Sequence, residues 1–100
     1  MLSKTDTAEI LAAVTDLKRA IYSVFNSDLS NPNFRLFTGR VKSFFEKEKI
    51  DFQDRLLHER YLVAKDRFEK ATTVVKEKSK RQLLEDLLTA CYFLQRLSYD

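Results

Sequence analysis

The sequence predicts an all-α protein, an antiparallel up-down-up-down four-helix bundle with a long third helix, and three observations carry the prediction. The 100 residues include a single glycine and a single proline, too few for the turns of a sandwich or barrel. Apolar residues recur in steps of four and three, the spacing of one helical face, in four separate stretches. The longest stretch, 51–78, places Leu57, Tyr61, Ala64, Phe68, Ala71 and Val75 on one seam with no helix breaker inside it. As one helix it would measure about 42 Å at ~1.5 Å per residue.

The first helix is expected from Asp6 or Thr7 to Phe25. Asp6 and Glu9 have the spacing of a capping box, and Ile10, Val14, Leu17, Ile21 and Val24 form the seam. Ala13 and Ala20 beside it leave room for a close neighbour. The run NSDLSNP that follows favours a turn, because its short polar side chains hydrogen-bond their own backbone. Asn31 then serves as N-cap of a second helix with Pro32 at its first position, where a missing N–H costs nothing. That helix carries Phe34, Phe37, Val41, Phe44 and Phe45 on one face, with Gly39 on its polar side at a cost of about 1 kcal/mol relative to alanine.

Asp51 is the expected cap of the third helix, which bears a second apolar row of Leu56, Val63 and Val74 beside its seam. Ser79 and Gln82 have capping-box spacing and start the fourth helix. Its broad apolar face runs Leu83, Leu84, Leu87, Leu88, Ala90, Cys91, Leu94 and Leu97, flanked by Tyr92 and Tyr99. No repeat, low-complexity tract or linker divides the chain, so 1–100 reads as one domain. Short connections favour antiparallel neighbours.

Composition narrows the function. Eighteen basic side chains against 15 acidic ones leave a net charge of +3, so a nucleic-acid ligand has to be argued from clustering. One cysteine excludes an intrachain disulfide and fits a reducing compartment. Asp6 and Glu9 stand where a signal peptide would have its apolar core, and the longest uncharged run, 87–95, is far short of a membrane span. A cytoplasmic protein with no membrane partner is expected. His58 is the only histidine, no Glu-x-x-His element occurs, and Cys91 falls in a seam, so no metal, cofactor or nucleophile is expected. The carboxylate pairs Asp51 with Asp54 and Glu85 with Asp86 read as solvated. The chain is expected not to be an enzyme.

Two surface features remain. In an up-down bundle one end collects Lys18, Arg19, Arg35, Lys76, Lys78, Lys80 and Arg81, a basic patch suited to an acidic protein surface or a phosphate backbone. Leu36, Leu62 and Phe93 fall outside their seams, and with Val63 and Val74 they suggest more apolar area than one core covers. The leading expectation is a non-catalytic protein-binding module, an adaptor, chaperone or inhibitor of the immunity type, with a homodimer as one way to cover that area. The alternative is a nucleic-acid-binding protein that uses the basic end.

Overall fold

The structure, a computed structural model, describes residues 3–26, 32–47, 50, 52, 54–73 and 79–99. Four α-helices and no strand occur among them. The first, α1 (Lys4–Asn26), starts earlier than expected because Ser3 is the cap. Its Oγ accepts the Asp6 amide at 3.0 Å, and its carbonyl accepts the Thr7 amide at 2.9 Å. The second, α2 (Pro32–Lys47), has Pro32 at its first position as expected. Asn31 lies outside the described residues.

The third helix departs most from expectation. It runs from Arg55 to Thr72, 18 residues, and is shorter than α1 with 23. Asp54, in extended backbone, caps α3 through a 2.8 Å bond from the Leu56 amide; Asp51, the expected cap, lies outside the described residues. At the other end Thr73 is extended as well. The Thr72 hydroxyl donates to the Phe68 carbonyl and the Thr73 hydroxyl to the Glu69 carbonyl. Two β-branched residues with such back-bonding hydroxyls weaken continued helix, a signal the seam spacing concealed. Residues 74–78, including Val74 and Val75, lie outside the described set. At ~1.5 Å per residue α2 and α3 span roughly 24 and 27 Å, so the two helices as described are nearly equal in length.

The fourth helix, α4 (Lys80–Tyr99), begins at the expected place. Ser79 Oγ accepts the Gln82 amide at 3.1 Å, but the Gln82 side chain turns to Asp86 (3.3 Å), so only half of the capping box forms.

The seams meet in one core. Ile10, Leu17, Val24, Val41, Phe68, Leu83, Leu87 and Leu94 are almost fully buried, and the described chain has a radius of gyration of 13.2 Å, as about 100 packed residues should. Helix α1 packs on α2 and α4, and α3 packs on α4. Between α2 and α3 the contact is made by rings: Phe45 lies 5.6 Å from Tyr61 and 5.5 Å from Phe68. Asp86 corrects a second expectation. It is 4% exposed, held between helices by Arg67 of α3 at 3.8 Å and by Gln82.

Two stability predictions follow from this packing. Phe68→Ala should cost roughly 3–5 kcal/mol in urea unfolding, since it empties the centre of the core. A loss below about 1 kcal/mol would contradict that placement. Gly39→Ala should stabilise by up to about 1 kcal/mol, because Gly39 is inside a helix and an added Cβ meets nothing within 4 Å.

Candidate protein interface

Helix α1 carries a second stripe next to its buried seam. Leu11, Thr15, Lys18, Tyr22 and Phe25 follow the same four-three spacing, shifted by one residue from Ile10, Val14, Leu17, Ile21 and Val24. A shift of one residue turns the row by roughly 100°, which takes it out of the core. All five are exposed. On α4, Leu84, Leu88 and Tyr92 form an i, i+4, i+8 row that climbs from half-buried Leu84 to exposed Leu88 and Tyr92.

One hydrogen bond and one electrostatic effect place these stripes on neighbouring sides of α1 and α4. At one end Lys80 Nζ donates to the Phe25 carbonyl oxygen at 3.4 Å. Further along, the Lys18 ammonium lies close enough to buried Cys91 to act on its thiol. Cys91 is buried on α4 between its seam and the row of Leu84, Leu88 and Tyr92, on the side that feels α1. Burial pushes the Cys91 thiol up from its ordinary range, and the nearby Lys18 charge offsets this in part.

The face is apolar and cationic together. Leu11, Tyr22, Phe25, Leu88 and Tyr92 are each between 46% and 70% exposed. Taking 150–250 Å² for a whole large side chain, they present roughly 500 Å² to solvent. Lys18 lies within the face, Lys80 and Arg81 stand at the end where α4 begins, and Arg96 rests over the Tyr92 ring at 5.8 Å. Glu85 is the acidic residue beside them and is bound to Arg81 at 3.3 Å.

The residues singled out from sequence are redistributed. Of the basic patch, Lys18, Lys80 and Arg81 belong to this face. Arg19 leans away on α1, its guanidinium 5.6 Å from the Phe37 ring of α2. Arg35 lines a different hollow of about 530 Å³ between α2 and α3, whose floor, Phe45 and Phe68, is already buried. Lys76 and Lys78 lie outside the described residues. Of the apolar set, Leu36 is exposed on α2. Leu62 and Val63 are exposed too, but as consecutive residues they point to different sides of α3. Phe93, expected on the outside, is half-buried against the core and packs edge-on to Tyr92 at 5.4 Å. Val74 is outside the described residues. The four of them that are described are thus spread over α2, two sides of α3, and α4.

Sequence reasoning missed Leu11, Tyr22 and Phe25 as surface, and placed Leu88 in the core. The available signal was the second four-three row on α1, one residue out of phase with the seam. His58 is exposed and rests against the Phe52 ring at 5.5 Å, while Cys91 faces α1, so the fold does not join the two into a nucleophile and base. Among the described residues no three His, Cys, Asp or Glu side chains gather as metal ligands, and no helix is long and apolar enough to cross a membrane. No protein-family model, no curated protein and no solved structure matches the chain.

The burial of Cys91 makes a chemical prediction. At about pH 8 Cys91 should alkylate with iodoacetamide at least tenfold more slowly than a free peptide cysteine, followed by mass spectrometry of the intact protein. Equal rates would contradict the burial of Cys91.

Proposed function

We propose that the protein is a non-catalytic helical binding module, an adaptor, chaperone or inhibitor, that docks another protein on its α1–α4 face. The observation that carries this reading is the apolar stripe of α1 lying beside that of α4. Some 500 Å² of large apolar side chains on one side of a small domain lies at the upper end of what monomers expose. The whole domain measures 39 × 21 × 19 Å, so one long side of it is on the order of the 800 Å² that each partner gives to a standard interface.

The reading includes an up-down-up-down order of the helices. Its support is pairing in opposite senses: Arg40 with Asp16 and Phe37 with Arg19 along α1 and α2, and Lys80 at the start of α4 with Phe25 at the end of α1. In that order α1 and α4 are neighbours along their whole length, so their stripes form one continuous face.

A second reading, nucleic-acid binding at the basic end, draws on one hollow. Lys18, Arg19, Tyr22 and Phe37 line a shallow surface depression of about 440 Å³ between α1 and α2, where cations and rings stand together. Phe37 is half-buried and already engaged by Arg19 and Arg40, which leaves Tyr22 as the one ring open to a base.

One experiment separates the readings. Tagged wild type, Leu88→Asp and Tyr22→Asp are used to capture partners from the native host, scored for both protein and nucleic acid. The expected result is a protein retained by wild type and lost by both variants, with unchanged helical circular dichroism. Capture that survives both substitutions would overturn the α1–α4 assignment, and salt-sensitive capture of nucleic acid alone would favour the second reading.

A further inference from the structure

Resting on that reading of the α1–α4 face, we infer that its partner is an acidic amphipathic α-helix, which lies along the furrow with its apolar stripe on the exposed side chains and its carboxylates toward the flanking cations. Three features of the face point to this occupant. First, shape: a furrow between two neighbouring helices accepts a third helix by the same packing that joins the first two, at about 8–10 Å between axes. Second, length: from Leu11 to Phe25 the stripe covers roughly 21 Å, four turns at 1.5 Å per residue, matched by a partner with anchors at i, i+3 or i+4, i+7 and i+11. Third, charge: Lys18 lies inside the apolar strip, Lys80 and Arg81 border one end and Arg96 the other, while the neighbouring Glu85 is occupied by Arg81.

The same charges argue against a second copy. A two-fold pairing through this face would bring one set of cations against an identical set, with Glu85 as the carboxylate beside them among the described residues. An acidic helix reverses the sign of every one of these contacts. It also accounts for Lys18, a cation in the middle of an apolar strip, which selects for a carboxylate at the matching position of the partner.

The probe is a dye-labelled synthetic peptide of about 18 residues, with leucines at i, i+3, i+4 and i+7 and glutamates on both flanks. Its binding to the intact protein is read by anisotropy and by gain of helical circular dichroism. One control peptide has lysines for the glutamates; another has the same composition in scrambled order. The acidic helix should bind at least ~10-fold tighter than either control and weaken ~10-fold or more as salt rises from about 50 to 500 mM. Lys18→Glu and Leu88→Asp should each weaken it at least ~10-fold, and Arg35→Glu, in the α2–α3 hollow, should leave it unchanged. Equal binding of the three peptides, or none by the acidic one, overturns the inference. So does a preference for phosphatidylserine vesicles over the peptide, which assigns the face to a lipid surface. A concentration-dependent dimer in sedimentation, abolished by Leu88→Asp, assigns it to a second copy and overturns the inference as well. A photo-crosslinker introduced at Leu88 distinguishes the two levels of failure. If it captures a host protein through a segment that is not an acidic helix, only the partner's chemistry is wrong; if Leu88→Asp retains every host partner, the face itself is wrong.

Discussion

Phe45 of α2 stands between Tyr61 and Phe68 of α3, and this ring cluster, extended by Phe44 and Phe52 onto Tyr61, is what closes the core. Elsewhere the helices approach by means of small residues: Ala13, Ala20, Ala64, Ala71 and Ala90 are almost fully buried along the seams. The main chains of α2 and α3 have no such close packing. Without the rings α2 would lean on α1 alone and α3 on α4 alone, leaving the α1–α4 contact to join the two hairpins while the core stayed open on the α2–α3 side. Ring pairs of this kind add about 0.5–1.5 kcal/mol beyond the area they bury, and their tilted and edge-on geometries fix the distance between the helices. Of the aromatic residues of α2, Phe44 and Phe45 are the two that meet the rings of α3, while Phe37 lies under Arg19 of α1.

Register between α3 and α4 has a polar determinant as well. Leucines and alanines along the α4 seam resemble one another from turn to turn, so apolar packing alone discriminates weakly against a slip of one turn. Asp86 breaks that near-equivalence. Its carboxylate is buried at the helix contact, with Arg67 and Gln82 as partners, and a slip would separate it from Arg67. Buried pairs of this sort contribute little net stability, because desolvation offsets most of the attraction, but they penalise the wrong alignment by leaving a charge unpaired.

The legible part of the sequence was the seams. Four-three spacing identified the buried residues of α1, α3 and α4 almost without exception, because burial on one helical face has a period that chance does not imitate. Helix ends were less legible. Asp6 and Asp51 were expected as caps, whereas Ser3 and Asp54 serve, because the choice depends on which backbone amides are left open, a property of the fold. Thr72 and Thr73 were overlooked because the seam runs past them. The candidate face was hidden for a different reason. Leu88 is one residue from Leu87 and three from Cys91, within the arc that a sequence pattern assigns to a core, and only the position of α1 decides that the arc ends between them. Lys18, Lys80 and Arg81 were identifiable as cations but not as companions of Tyr22 and Phe25. That association needed the crossing of α1 and α4, registered by Lys80 on the Phe25 carbonyl.

On the proposed reading, the cations on the face also bear on how a small protein with so much exposed apolar surface would choose among the surfaces it meets. Apolar burial is indifferent to what covers it, at about 25 cal/mol per Å² whichever surface arrives. Covering roughly 500 Å² would then favour any apolar contact by an appreciable margin, including contact with other copies of the same chain. Charge supplies the discrimination that burial lacks. Lys18 stands within the stripe, so a surface that buries Leu88 and Tyr22 must also desolvate an ammonium or offer it a carboxylate. A neutral apolar surface bears the desolvation cost, an identical face adds repulsion, and an acidic one recovers it. On that reading, placing the cation among the leucines, and not merely at the rim, is what would turn a sticky strip into a selective one.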